Sequence, residues 1–184
     1  ETFESLPKPI RSPRLASNLG TAYFFSDRSD KWAEVEKNYL LAVRLSPQDA
    51  MYRANLGDLY QSLDRPEAAQ DSYRQACELV DERLADDPDH PRLLSELADY
   101  SAKAQDCKRA MALAARLEGL LPDTGPSAHQ LAYVYAACGE EDSALRALTK
   151  AIALGESAEL IRQEDEFADL RDSQDFQALV GGTG

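Results

Sequence analysis

Asn55-Leu56-Gly57 opens a pattern in which Tyr60 follows the glycine by three residues, Ala69 by twelve, Tyr73 by sixteen and Ala76 by nineteen. The pattern returns along the chain. From Leu131-Ala132 the same offsets fall on Tyr135, Ala144, Leu148 and Ala151. From Leu97-Ala98 they fall on Ser101, Ala110, Ala114 and Leu117, and Pro122 ends that copy. A further copy begins at Asn18-Leu19-Gly20 with Tyr23. Its second half, Val35, Tyr39, Ala42 and Pro47, keeps its internal spacing but arrives three residues late, and the polar stretch 26–30 reads as a loop that absorbs the excess. The small residues Gly20, Gly57, Ala98 and Ala132 are separated by 37, 41 and 34 residues. A period of this length marks stacked supersecondary units.

Each unit reads as two antiparallel helices. A glycine or alanine in the first helix lets the second approach closely, and the later alanines do the same from the other side. Larger residues such as Tyr60, Tyr73, Tyr135 and Leu148 fill the space that is left. One pair cannot bury both of its faces, so pairs must stack. The wide interval of 41 residues also fits. The second helix of that unit is expected to start at Pro66, with Asp64 as its cap, and nothing breaks it before Asp87-Pro88. Seven extra residues are about two helical turns, so the apolar face keeps its direction, and Leu79, Val80 and Leu84 fit that extension.

The Leu-Gly/Ala, Tyr, Ala, Tyr/Leu, Ala, Pro pattern resembles the tetratricopeptide repeat. It is clearest in the units of Gly57 and Ala132 and less complete in the unit of Ala98, where Ser101 and Ala114 replace larger residues. A large residue common early in the first helix of such repeats is missing from three units; Arg53 and Ala128 stand there in two of them. Sel1-like and other helical-hairpin repeats stay open as alternatives. The resemblance implies an all-α, right-handed α-solenoid of four helix pairs at 13–49, 50–90, 91–124 and 125–156, closed by capping helices over 157–180. In that last stretch Leu160, Ile161, Phe167, Leu170, Phe176, Leu179 and Val180 form an apolar subset among acids, suited to covering an exposed last pair. The tail also resembles those closing repeat arrays in bacterial multidomain proteins with Ser/Thr kinase or transcription-regulator domains. Residues 1–12, with Pro7 and Pro9, read as an extended arm, and 181–184 as a flexible end.

The repeat resemblance implies protein–protein interaction through a concave groove lined by the first helix of each pair. The groove positions lie six and three residues before the small residue, and one, four and five after it. They become Arg14, Ser17, Thr21, Phe24 and Phe25; Met51, Ala54, Asp58, Gln61 and Ser62; Arg92, Ser95, Asp99, Ala102 and Lys103; and Pro126, His129, Tyr133, Ala136 and Ala137. Phe24, Phe25, Met51 and Tyr133 could anchor a peptide, unless the chain's own ends cover the aromatic ones, while Asp58 and Asp99 suit a basic side chain. Relatives that grip a terminal carboxylate do so with lysine, asparagine and arginine. The matching positions are Ser17, Thr21, Asn55, Arg92 and Glu96. Asn55 keeps the amide and Arg92 the charge, but Glu96 would repel a carboxylate, which argues against that mode.

Composition narrows the remaining classes. A formal net charge of −13 opposes binding to nucleic acid or to an anionic membrane surface. No apolar run is long enough to span a bilayer, and no secretory leader is visible. The chain begins at Glu1 without a methionine and so reads as a piece of a longer polypeptide, with an upstream domain or a second copy as alternative partners. Cys77, Cys107 and Cys138 lack metal-ligand spacing and read as core or near-surface thiols of a cytoplasmic, reducing compartment. His90 precedes Pro91 at a helix start and reads as a capping or solvated residue. Asp86-Asp87-Pro88-Asp89 lacks the glycine turn and distal glutamate of a calcium loop, and Glu164-Asp165-Glu166 reads as a solvated acidic surface. No nucleophile–base set, metal motif or cofactor fingerprint is present, so neither catalysis nor a cofactor is expected.

Overall fold

A computed structural model of the chain describes residues 10–26 and 31–181. The arm expected over 1–12 thus lies outside the described residues except at 10–12, as do 27–30 of the expected loop and 182–184 of the end. Among the described residues there is no strand. Eight helices follow in pairs: α1 (Pro13–Phe24) and α2 (Trp32–Leu45), α3 (Ala50–Ser62) and α4 (Pro66–Leu84), α5 (Pro91–Lys103) and α6 (Cys107–Glu118), α7 (Gly125–Ala137) and α8 (Glu141–Ala153). A closing segment adds α9 (Ala158–Gln163), a 3-10 turn (Asp165–Leu170) and α10 (Gln174–Gly181). Contacts divide the chain into two units, Glu1–Leu79 and Val80–Gly184.

Short polar residues start α1, α3, α6, α7 and α9. Ser12, Asp49, Asp106, Thr124 and Ser157 each accept from a backbone N–H two or three residues on, at 3.2–3.4 Å. His90 does the same for α5, its Nδ1 accepting from the Leu93 amide at 3.4 Å. Each such cap contributes about 1 kcal/mol. Asp64 does not cap α4. It lies at φ 54, in the left-handed position that closes α3, where its own N–H donates to the Gln61 carbonyl and that of Arg65 reaches Tyr60. Gln105 (φ 62) ends α5 in the same way, and Gly139 (φ 73) ends α7. This paired 5→2 and 6→1 hydrogen bonding satisfies the last carbonyls of the first helix and turns the chain sharply into the second. The competing requirement of that turn is what removes Asp64 from the cap.

In the first unit the small residues do what the repeat logic demands. A Cβ on Gly20 would stand 2.7 Å from Cδ1 of Tyr39, and one on Gly57 would stand 2.6 Å from Cδ1 of Tyr73. Each tyrosine ring therefore occupies the space that a side chain at the glycine of the partner helix would need. Both hydroxyls then meet the residue after the glycine: Tyr39 shares a hydrogen bond with Thr21 (3.1 Å), and Tyr73 donates to Asp58 (2.8 Å). The core around α1–α3 gathers Ala16, Val35, Tyr39, Tyr52, Leu56 and Leu59, with Phe24 and Trp32 at its margin. In the second unit alanine takes the glycine's place, and Ala98, Ala114, Ala132 and Leu148 are all fully buried. Alanine at the small position thus goes with a residue smaller than tyrosine on the second helix, Ala114 in one pair and Leu148 in the other.

Helix α4 has 19 residues against 12 for α6, the expected extension, and Val80 and Leu84 are buried on it. The closing segment packs its 3-10 turn on α7 and α10 on α8 and α9. Phe167, Phe176 and Ile161 are at most 2% exposed, so the segment is held by the same hydrophobic burial as the pairs themselves.

Candidate functional site

Helix α5 turns one row of side chains, Arg92, Ser95, Glu96, Asp99 and Lys103, to the same side as His129, Gln130 and Tyr133 of α7. The closing segment adds Glu164 and Glu166, and together these residues line an open cavity of about 600 Å³ within the second unit. Six of the sequence-expected residues, Arg92, Ser95, Asp99, Lys103, His129 and Tyr133, meet here. Spacing explains it: they fall at the same offsets from Ala98 and from Ala132, and a helix returns the same face at three- and four-residue steps.

The polar groups of the cavity are arranged in pairs. Glu96 sits between Arg92 (3.4 Å) and Arg83 (3.9 Å). Asp99 lies 3.7 Å from the Lys103 ammonium, which in turn stands 5.9 Å from the centre of the Tyr133 ring. His129 Nε2 lies 2.7 Å from Glu164 Oε2, and the Phe167 ring meets the imidazole edge-on at 5.5 Å. Ser95, at 6% exposure, lies too deep to present its hydroxyl at the opening. Within Glu164-Asp165-Glu166, Asp165 and Glu166 are exposed as the sequence reading expected, whereas Glu164 is partly buried against His129; Glu164 and Glu166 line the cavity. Nothing in the local sequence signalled this, because the contact joins residues 35 apart.

The expected residues of the first unit have other surroundings. Ser17 is 3% exposed and accepts a hydrogen bond from the Asn55 amide (2.9 Å), so it holds Asn55 rather than facing outward. Thr21 shares its hydrogen bond with the Tyr39 hydroxyl, and Asp58 accepts from that of Tyr73. Arg14 and Gln61 are exposed, Met51 and Phe25 are 45% and 78% exposed, and Phe24 is half-buried between Phe25 (5.2 Å) and Trp32 (5.6 Å) as edge-on rings.

Polar pairs also occur away from this cavity. A second cavity of about 500 Å³ beside α8 includes Tyr135, which donates to Glu118 at 2.6 Å, and Lys150, paired with Asp123 at 2.5 Å. Burial first, and the bond to Glu118 second, push the Tyr135 hydroxyl well above the ordinary tyrosine range. Cys77 is buried, while Cys107 and Cys138 are half-buried neighbours. Burial and the hydrogen bond with Cys107 push the Cys138 thiol up to about 12. Among the described residues no group of three or more metal-ligating side chains gathers, and no helix is long and apolar enough to cross a membrane.

Residues 52–79 match the family model described as the tetratricopeptide repeat. No curated protein matches the sequence. Among solved structures, the chain is similar to a thermophilic tetratricopeptide-repeat protein of Thermus thermophilus, at 17% identity over 91% of this chain and 88% of that one, with a TM-score of 0.55. It is also similar to pilF of Pseudomonas aeruginosa, at 19% identity over 94% of this chain and 76% of that one, with a TM-score of 0.53. The chain thus carries a tetratricopeptide repeat within 52–79 and shares the all-helical repeat fold of these structures.

Proposed function

We propose that this tetratricopeptide-type array is a protein-interaction module that holds a peptide or helix of a partner in the cavity of the second unit. The observation carrying the reading is the convergence of Arg92, Asp99, His129 and Tyr133 with Glu164 on one concave surface. Tyr133 supplies an aromatic anchor, and the charged side chains around it supply orientation. The volume suits one or two side chains of a partner rather than a folded domain, so an extended or helical segment is the fitting occupant.

Panning the whole chain against a random peptide display library tests this. Selected peptides should lose roughly 30-fold in affinity on Tyr133→Ala, the loss of a hot-spot aromatic. Phe25→Ala, in the first unit, serves as the comparison. Peptides that bind Tyr133→Ala as tightly as the parent chain would remove the cavity from the function.

The exposed Phe25, Leu15 (56%) and Met51 of the first unit favour a second reading, self-association or docking on another domain of a longer signalling polypeptide such as a Ser/Thr kinase. Sedimentation equilibrium decides the self-association version: a monomer at every concentration, unchanged by Phe25→Ala, rules it out.

A further inference from the structure

We infer that the cavity of the second unit takes a cationic side chain, so that its partner segment carries arginine or lysine beside an apolar residue. This rests on the cavity being the binding site and goes on to name the chemistry of its occupant. Four carboxylates line it, those of Glu96, Asp99, Glu164 and Glu166, against two permanent cations, Arg92 and Lys103. The balance is uneven along its length. Glu96 is engaged by Arg92 and Arg83, whereas the Glu164 carboxylate meets His129 and the Glu164 carbonyl accepts from Arg171.

The cavity already displays the seat it offers. The Lys103 ammonium lies over the Tyr133 ring at 5.9 Å and beside the Asp99 carboxylate at 3.7 Å. An aromatic face and a carboxylate together stabilise a cation by ring quadrupole and by charge, and Glu164 and Glu166 extend the same field across the opening. A guanidinium or second ammonium from a partner finds an acidic rim and an aromatic surface for its aliphatic stem. A carboxylate-bearing segment would meet like charge, which is costly in a partly enclosed site.

The test uses the whole chain and a short fluorescein-labelled peptide of alternating leucine and arginine, beside the same peptide with glutamine for arginine. Anisotropy should show the arginine peptide bound about tenfold more tightly, the worth of one cation–ring contact with its carboxylates. Asp99→Asn with Glu166→Gln should remove that advantage. Glu141→Gln with Asp142→Asn, exposed acids at the start of α8, should leave it in place. Equal affinity for the two peptides, or binding of neither, overturns the inference. So does an equal loss in the α8 variant, which would mean diffuse attraction to a chain of charge −13. Library peptides that depend on Tyr133 but keep their affinity when arginine and lysine are replaced by glutamine would leave the binding module standing without this chemistry. Dependence of no peptide on Tyr133 would remove both.

Discussion

Replacing Gly57 with alanine sets two effects against each other, and the structure decides their order. Alanine in a helix interior is favoured over glycine by about 1 kcal/mol. The new methyl, however, would stand 2.6 Å from Cδ1 and 2.7 Å from Cζ of Tyr73. Carbon atoms settle at about 3.5–4.0 Å, so the ring must withdraw by roughly an ångström. It has little room, being 3% exposed and tethered by its hydroxyl to Asp58 at 2.8 Å. Overpacking of a well-filled site costs up to about 3 kcal/mol, which leaves a net loss of about 2 kcal/mol for Gly57→Ala. Tyr73→Leu alone empties the space over the glycine and breaks the bond to Asp58, for a loss of about 2–3 kcal/mol. Together they rebuild the Ala132–Leu148 pairing of the fourth unit, and the double variant should be about 2 kcal/mol more stable than the sum of the single effects predicts. Urea unfolding followed by circular dichroism measures the cycle. A stabilising Gly57→Ala, or strictly additive changes, would refute the nesting of tyrosine on glycine.

At the end of α5, Gln105→Gly should raise stability by about 1 kcal/mol, because glutamine at φ 62 carries a left-handed strain that glycine lacks, and urea midpoints would register it. Phe167→Ala should cost about 3–5 kcal/mol and free the closing segment, since the ring is fully buried against His129; limited proteolysis should then cut within 157–180 first, and an unchanged digestion pattern would argue against the segment as a cap. Stability should be steady below about pH 9 and fall as pH rises toward 12. Cys138, moved from 9.0 to about 12, and Tyr39, Tyr52, Tyr60 and Tyr135, all raised from 10.0 chiefly by burial, keep their protons in the fold after the unfolded chain has lost them. Thermal melts across that range would show the decline, and a rising melting temperature would contradict the sign. At pH 8 Cys138 should accordingly alkylate more slowly than a free thiol, as peptide mass spectrometry of iodoacetamide-treated protein would report.

Helix identity and pairing were legible in the chain because they depend on local rules. Small residues at fixed offsets, Pro66 and Pro91 at first turns, and the acid or hydroxyl before α3, α6 and α7 act within a few residues of where they stand. Periodicity puts Arg92 and Asp99 on one face of α5 and His129 and Tyr133 on one face of α7, and the repeat resemblance implied that the two faces line one groove. Sequence could not decide between two local uses of one residue. Asp64 is a good cap by type, yet the closing turn of α3 claimed it, since the chain must reverse there before α4 can start. Nor could it reveal that Ser17 is consumed by Asn55, 38 residues away, or that Glu164 folds back on His129 to wall the cavity. Those outcomes depend on which side chains are brought together once the pairs have stacked, and on the need of each half-buried polar group for a partner. The repeat specified the helices and their faces, while tertiary packing chose the partners of the polar groups on those faces and gathered some of those pairs around a charged hollow.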